Sequence, residues 1–202
     1  MRVRHLIAPI IALLVLALAS SAYAASSSGG SGSPSASASS GGAGMAPGPG
    51  PRSTASHPVV QGFTAKIVHG VAYAPSYAPS AVQKMIWAGD RIRTKPYCYG
   101  GGHGQWNDSC YDCSGTVSYV MHAAGLISQS MDSGEMMSWG QSGAGHWVTI
   151  YTNTGHAFIQ IAGIRLDTSA YQDPNPAPGS GPRWRPDVTS WGGFVRRHPS
   201  GL

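Results

Sequence analysis

The sequence predicts an α+β domain in which a helix that begins at a cysteine packs on an antiparallel sheet. Two observations carry this prediction. Apolar residues recur at three- and four-residue spacing after Cys113, and Gly125 is a natural C-terminal stop for that helix. Further along, three short apolar segments (147–151, 156–161 and 164–167) are separated by turn-forming residues, as in consecutive antiparallel strands.

The first 57 residues lack the composition of a folded domain. Residues 1–24 have the pattern of a secretory signal peptide: Arg2 and Arg4, an apolar run, and a small-x-small ending at Ala24. A membrane anchor is the alternative, but the run is shorter than the roughly 20 residues that a spanning helix needs. Residues 25–57, rich in Ser, Gly, Ala and Pro, predict a disordered linker, which leaves 58–202 as one domain. We therefore expect a secreted or cell-wall-associated, extracellular protein.

The charge pattern limits the partners. The formal net charge of +5 falls to +3 once Arg2 and Arg4 leave with the signal peptide. The remaining basic residues are scattered, so we expect no nucleic-acid binding, and the mild positive charge favours an anionic surface such as a cell wall. No later segment is apolar enough to span a membrane. We expect a monomer with no cofactor. Only eight residues are Asp or Glu. This small number does not favour a glycosidase, which needs a pair of catalytic carboxylates.

The local pattern predicts each element in order. A short strand is expected within residues 63–73 and a helix from Ser80 to Gly89. A loop rich in Gly and aromatic residues (97–111) leads to the helix at Cys113, and a polar stretch (128–145) leads to the three strands. The Pro- and Gly-rich segment 172–186 is expected to be irregular.

Three cysteines in an exported chain leave one unpaired thiol, which is potentially reactive. Cys113 sits at the first turn of its helix, where unpaired N–H groups and the helix dipole stabilise a thiolate. Such a nucleophile needs a base from elsewhere in the fold. His156 is the candidate, because Asp167 follows on the adjoining strand and can orient an imidazole. A half-buried structural role for His156, and His146 as a rival base, remain alternatives.

These residues resemble a known family. Tyr97-x-Tyr99-Gly100-Gly101, then Asp112-Cys113-Ser114-Gly115 opening a helix, then Gly155-His156 leading a strand, are similar to the NlpC/P60 cell-wall cysteine peptidases. The resemblance covers about residues 81–169. It implies a papain-like fold and hydrolysis of amide bonds in peptidoglycan stem peptides, commonly at D-γ-glutamyl linkages, with peptidoglycan as the partner.

The resemblance also implies roles for individual residues. Cys113 is implied as the nucleophile, His156 as the base and Asp167 as the orienting residue, a position more often His, Asn or Gln in the family. Tyr97 is implied to line the site and to help polarise the scissile carbonyl. Asp112 and Ser114 are implied to lie beside the substrate, where Asp112 contacts a stem-peptide amine.

With Cys113 taken as the nucleophile, the other two cysteines predict a disulfide. A Cys98–Cys110 bridge would close a loop of about a dozen residues, which stabilises by roughly 3 kcal/mol in the loop-entropy model. A zinc site of Cys98, His103, Cys110 and Cys113 is the competing interpretation; otherwise His103 is expected to be an exposed loop residue.

Two other functions remain open at this point. The domain could keep the fold and bind the cell wall without catalysis, or it could use the same Cys–His pair as an amidase or acyltransferase on a different amide. Fold alone does not separate these alternatives.

Overall fold

The computed structural model describes residues 56–176, 178–188 and 190–202. The predicted signal peptide, and the predicted linker except for its last two residues, lie outside the described residues. Within this part of the chain the fold is α+β, as predicted, with short helices beside antiparallel strands. No helix among the described residues has both the length and the apolar character needed to cross a bilayer.

Three helices form, each with buried residues, and the second and third also begin at an aspartate N-cap. Helix α1 spans Ser80–Ile92, helix α2 spans Cys113–Ala123, and the short helix α3 spans Ser133–Met136. Helix α1 runs three residues past the predicted end at Gly89, because Ile92 continues its buried face. At Gly89 the indole of Trp184 packs where a side chain would stand.

The strands form two sheets. A three-stranded sheet has the order β1-β3-β2, with β1 (Val59–Val60) parallel and β2 (Lys66–Val68) antiparallel to β3 (Val71–Pro75). A six-stranded antiparallel sheet has the order β4-β9-β5-β6-β7-β8. Its strands are β4 (Gln141–Ser142), β5 (Val148–Thr152), β6 (Ala157–Ile161), β7 (Ile164–Asp167), β8 (Arg183–Pro186) and β9 (Val195–His198).

The core lies between the helices and one face of the six-stranded sheet. Strands β5 and β6 pair Ile150 with Ile159 and Val148 with Ile161, so that alternate residues point to the same face. Helix α2 packs on β6 and β7 and on α1. The apolar residues of α2 recur at three- and four-residue spacing, as noted in the sequence. Of these, Val117, Val120 and Met121 are fully buried. Because the body of α2 is packed in the core, the position of its first turn, which carries Cys113, is fixed.

Two parts of the fold differ from the sequence prediction. The segment predicted as irregular contains β8, which pairs along its whole length with β7, and β9 was not predicted at all. Residues 63–73 contain a turn between two strands, β2 and β3, rather than one strand. Strand β8 escapes prediction because Arg185, only 2% exposed, lies inside the fold, where its guanidinium pairs with Asp173 at 2.6 Å.

Candidate active site

Asp112 organises the start of helix α2. Its Oδ1 accepts the backbone N–H of Gly115 at 2.7 Å, which makes it the N-cap, and Oδ2 accepts the N–H of Gly100 at 3.0 Å. The hydroxyl of Ser114 also donates to Oδ1 at 3.3 Å. Asp112 lines the cavity beside Cys113, but its carboxylate is already bonded to the loop and to the helix. The residue holds the cysteine-bearing turn in place.

The loop before α2 carries the disulfide predicted between Cys98 and Cys110, whose Cα atoms are 5.6 Å apart. Cys113 is the free cysteine of the described residues. The loop closes onto the helix through the N–H of Asp112, which donates to the carbonyl of Gly101 at 3.1 Å. Because Cys98 and Cys110 are bonded to each other, they cannot also bind zinc, and the alternative zinc site does not form.

Two glycines permit this close approach. A Cβ on Gly101 would lie 2.6 Å from both the Sγ of Cys98 and the carbonyl oxygen of Cys110. A Cβ on Gly115 would overlap the carbonyl oxygen of Gly101. Backbone atoms cannot move aside as a flexible side chain can, so the Gly-rich loop and the first turn of α2 fit together only without side chains here.

His156 lies just before strand β6, where a tight turn presents it. The side chain of Asn153 accepts the N–H groups of Gly155 and His156, both at 2.9 Å, as expected for the predicted Asn153-Thr154-Gly155 turn. The Nε2 of His156 lies 2.9 Å from the Oδ1 of Asp167. Continuing the β6–β7 register places Asp167 opposite Phe158, on the same side as His156. The hairpin predicted to bring His156 and Asp167 together does so.

The thiol and the imidazole are electrostatically coupled. Burial acts to raise the pKa of Cys113, but hydrogen bonds with His156 and with the N–H of Ala157, together with the charge on His156, lower it below its ordinary value. Burial acts to lower the pKa of His156, but the hydrogen bonds and charges of Asp167 and Cys113 raise it to about 9. Both directions favour a thiolate–imidazolium pair. Because Nε2 faces Asp167, Nδ1 is the ring nitrogen left for the sulfur.

Asp167 is itself held on several sides. The carboxylate is 1% exposed, and its Oδ1 also accepts the N–H of Ser169 at 2.8 Å. The Nη1 of Arg165, a residue that is fully buried, lies 3.4 Å from Oδ2. The guanidinium of Arg185 donates to the Asp167 carbonyl at 3.4 Å. A buried carboxylate with a cationic neighbour and two hydrogen-bond partners is suited to fix the orientation of an imidazole.

A cavity of about 320 Å³ opens beside Cys113. The residues predicted at the site that line it are Tyr97, Asp112, Cys113 and Ser114, joined by Tyr99, Gly100, His103, Asp132, Ser133, Thr154 and Gly155. Tyr97 is 42% exposed, and its pKa is raised by burial and then by the negative charge of Cys113. The tyrosine hydroxyl therefore remains a hydrogen-bond donor at neutral pH, in a residue that lines the same cavity as Cys113.

His103 belongs to this site, although sequence reasoning expected an exposed loop residue. Its Nε2 lies 3.0 Å from the Oδ1 of Asp112 and 3.2 Å from the Oγ of Ser114, and its side chain is 26% exposed. The contact depends on the fold of the Gly-rich loop, so spacing alone gave no signal for it. Its place in the Asp112 network could not be inferred without the loop geometry.

His146, the rival base, lies at the other end of the β5–β6 hairpin. Val148 pairs with Ile161, whereas Thr152 pairs with Ala157 next to His156. The four-residue span of paired strand between these ends is roughly 13 Å long. His146 lines a separate cavity with Trp147 and Gly145. The structure therefore brings His156, and not His146, to Cys113.

Comparison with known proteins gives a small number of distant matches. No protein-family model matches the chain, and no curated protein sequence matches it significantly. Among solved structures, the peptidoglycan hydrolase RipB from Mycobacterium tuberculosis is 22% identical with a TM-score of 0.39, covering 57% of this chain and 71% of RipB. A protein from Staphylococcus aureus, described as similar to lipoprotein and of the NLP/P60 family, is 19% identical with a TM-score of 0.39, covering 62% of this chain and 43% of its own.

Proposed function

We propose that this chain is a secreted cysteine peptidase that hydrolyses amide bonds in peptidoglycan stem peptides. One observation carries the proposal: the free thiol of Cys113, at the start of a buried helix, is coupled to His156, and His156 is bonded to the buried carboxylate of Asp167. A thiolate at a helix start, a base in contact with it and a third group that orients the base are the parts that acyl transfer by a cysteine requires.

The first step forms an acyl-enzyme. The Cys113 thiolate attacks the carbonyl carbon of the scissile amide, and negative charge moves to the carbonyl oxygen. We assign the backbone N–H of Cys113, in the first turn of α2, and the Tyr97 hydroxyl as donors to that oxygen. As the C–N bond breaks, the Nδ1–H of His156 protonates the leaving nitrogen, which departs as a free amine. Asp167 stabilises the imidazolium before the transfer and keeps Nε2 protonated after it.

The second step releases the acyl group. Neutral His156 removes a proton from water through Nδ1, and the resulting hydroxide attacks the thioester carbonyl. The C–S bond breaks, the carboxylic acid leaves, and the thiolate–imidazolium pair is restored. The high pKa of His156 suits it to the acid role at neutral pH, and departure of the thiolate during acylation returns it to a base.

Peptidoglycan is proposed from the motif resemblance and from the predicted export. Residues 1–24 would direct secretion, residues 25–57 would tether the domain flexibly, and the mild positive charge would favour an anionic wall. Within the stem peptide we propose a D-γ-glutamyl linkage as the bond cut. The acyl half would occupy the cavity beside Cys113, lined by Tyr97, Asp112 and Ser114.

Digestion of purified peptidoglycan tests the proposal. We expect the wild type to release soluble muropeptides, and Cys113→Ala and His156→Ala to release none. His146→Ala is the matched control, because it removes a histidine from the far end of the same hairpin and should retain activity. Chromatography and mass spectrometry of the fragments identify the bond. Wall binding without release by the wild type would contradict the proposal and favour the non-catalytic alternative.

A further inference from the structure

A fully buried arginine lies behind the catalytic pair. Arg165 comes two residues before Asp167 on strand β7, so both side chains point to the same face of the sheet. The Nη1 of Arg165 is 3.4 Å from the Oδ2 of Asp167, while Oδ1 of the same carboxylate bonds His156 at 2.9 Å. We propose that Arg165 is a positioning residue that shares the Asp167 carboxylate with His156 and thereby lets the imidazole give up its proton once the nucleophile is acylated. This inference rests on the proposed function, because it concerns the second step of that reaction.

A structural role alone does not account for Arg165. Its Nη1 donates to the carbonyl of Tyr171 at 3.0 Å, but its Nε and Nη2 have no hydrogen-bond partner among the described residues. In the β7–β8 register it stands directly opposite Arg185, another buried arginine, whose own counter-ion is Asp173. Unpaired buried donors and like charges opposed across strands both cost stability. Since an apolar side chain of similar volume often replaces a buried ion without loss of stability, the fold itself does not require a cation here.

Two aromatic rings confine the charge of this arginine. The guanidinium carbon lies 4.8 Å from the ring of Trp191 and 5.9 Å from that of Phe158. Trp191 lines the cavity that His156 and Asp167 also line, whereas Arg165 is 0% exposed. Aromatic faces attract a cation, and they keep water from screening it. The positive charge of Arg165 therefore acts on Asp167 in surroundings of low dielectric constant.

The charges around the two cations determine how the carboxylate is shared. His156 faces the Asp167 carboxylate and the sulfur of Cys113, and both raise the pKa of the imidazole. Four charged groups, from β7, β8 and the segments after each, act on the pKa of the Arg165 guanidinium, in decreasing order: Asp167, Arg185, Asp173 and Asp187. Asp167 is thus the main counter-ion of the imidazolium and of the guanidinium at once.

Acylation changes the balance between these charges. Before acylation the thiolate and the carboxylate both support the imidazolium, whose pKa is about 9. Acylation converts the thiolate into a neutral thioester and leaves Asp167 as the negative charge beside His156. A carboxylate alone would favour return of a proton to the imidazole, and a protonated imidazole cannot take a proton from water. Because Arg165 stays protonated and holds the other carboxylate oxygen, it offsets the charge of Asp167. Burial then favours the neutral imidazole that hydrolysis of the thioester needs.

Titration of His156 by NMR tests the inference without any need for activity. The background is Cys113→Ala, which lacks the thiolate, as the acyl-enzyme does. Arg165→citrulline keeps nearly the same side-chain shape, removes the charge and should raise the pKa of His156 by about one pH unit. Arg165→Lys keeps a cation and should restore most of the original value. Arg183→Met is the control, because Arg183 stands opposite Asp167 on β8 but bonds backbone carbonyls, and it should leave the pKa unchanged.

Hydrolysis of the acyl-enzyme provides a second readout. In Arg165→citrulline the pH midpoint of this step should rise by about one pH unit, and its rate at pH 7 should fall by up to about tenfold, whereas Asp167→Asn should move the midpoint to lower pH. A merely structural arginine would lower stability without moving either titration. An unchanged or lowered pKa of His156 in the citrulline variant, or a lysine variant that behaves like it, overturns the inference alone. A wild type that forms no acyl-enzyme overturns the proposed function and the inference with it.

Discussion

The Asp167→Asn substitution isolates the electrostatic support of the catalytic pair. Asparagine keeps the size of the side chain and removes its charge, so His156 loses the carboxylate 2.9 Å from its Nε2. Raising an imidazole pKa from 6.5 to about 9 corresponds to roughly 3 kcal/mol of preference for the charged form. Part of this preference comes from Cys113 rather than from Asp167. Solvent also screens the interaction, because the imidazole is 25% exposed. We therefore assign Asp167 on the order of 1–2 kcal/mol, about a tenfold change in the population of the ion pair.

Alkylation of Cys113 by iodoacetamide reports this population, since the thiolate is the reacting form. In the wild type the imidazolium persists up to about pH 9, and below that pH its charge favours the thiolate. Without Asp167, the imidazolium loses its proton at lower pH, and burial then raises the pKa of the thiol. We expect the alkylation rate at pH 7 to fall about tenfold in Asp167→Asn and the two proteins to converge above pH 10.

The matched control is Asp187→Asn. Asp187 accepts a hydrogen bond from Gln160 at 2.7 Å and interacts with the charge of Arg165, so its loss tests the effect of removing a carboxylate near Arg165 while the carboxylate bonded to His156 stays in place. The control should follow the wild-type profile. Superimposable profiles for Asp167→Asn and the wild type would refute the reasoning, because they would mean that Asp167 does not stabilise the imidazolium.

Three further substitutions test how the site is held. Replacing Cys98 and Cys110 by Ser should lower the free energy of unfolding by roughly 3 kcal/mol; urea titration measures it, and an unchanged midpoint would show that the bridge does not constrain the chain. Asp112→Ala removes the N-cap of α2 and should cost about 1–2 kcal/mol in the same titration, together with part of the alkylation rate; full stability and reactivity would contradict the capping role. Gly115→Ala places a Cβ against the Gly101 carbonyl and should lose both stability and muropeptide release, whereas a fully active variant would show that the loop can move.

The helix and hairpin at the centre of the site were predictable because local patterns determine them. Asp112 is both an N-cap residue and the neighbour of Cys113, and the apolar spacing after it fixes which face of α2 is buried. The Asn153-Thr154-Gly155 turn and the Ala162-Gly163 turn set the register of β5, β6 and β7. That register brings His156 to Asp167.

The remaining elements depend on contacts that no local pattern reveals. Strand β8 contains Arg183 and Arg185 among its four residues, and strand β9 contains Arg196 and Arg197. Arginines at this density suggest an exposed segment, yet Arg185 is buried because Asp173, twelve residues earlier, neutralises it. The contact between Tyr171 and Trp191 was missed for the same reason. Tyr171 and Trp191 are 20 residues apart in a Pro- and Gly-rich region and meet only after β8 folds onto β7.

Trapping of the acyl-enzyme tests the central claim most directly. The wild type is mixed with a stem-peptide substrate, quenched with acid within the first turnover and analysed by intact-mass and peptide mass spectrometry. The account predicts a mass increase equal to the acyl half of the substrate, located on Cys113 and absent from Cys113→Ala. Product formation with no adduct on Cys113, or an adduct on another residue, would contradict it.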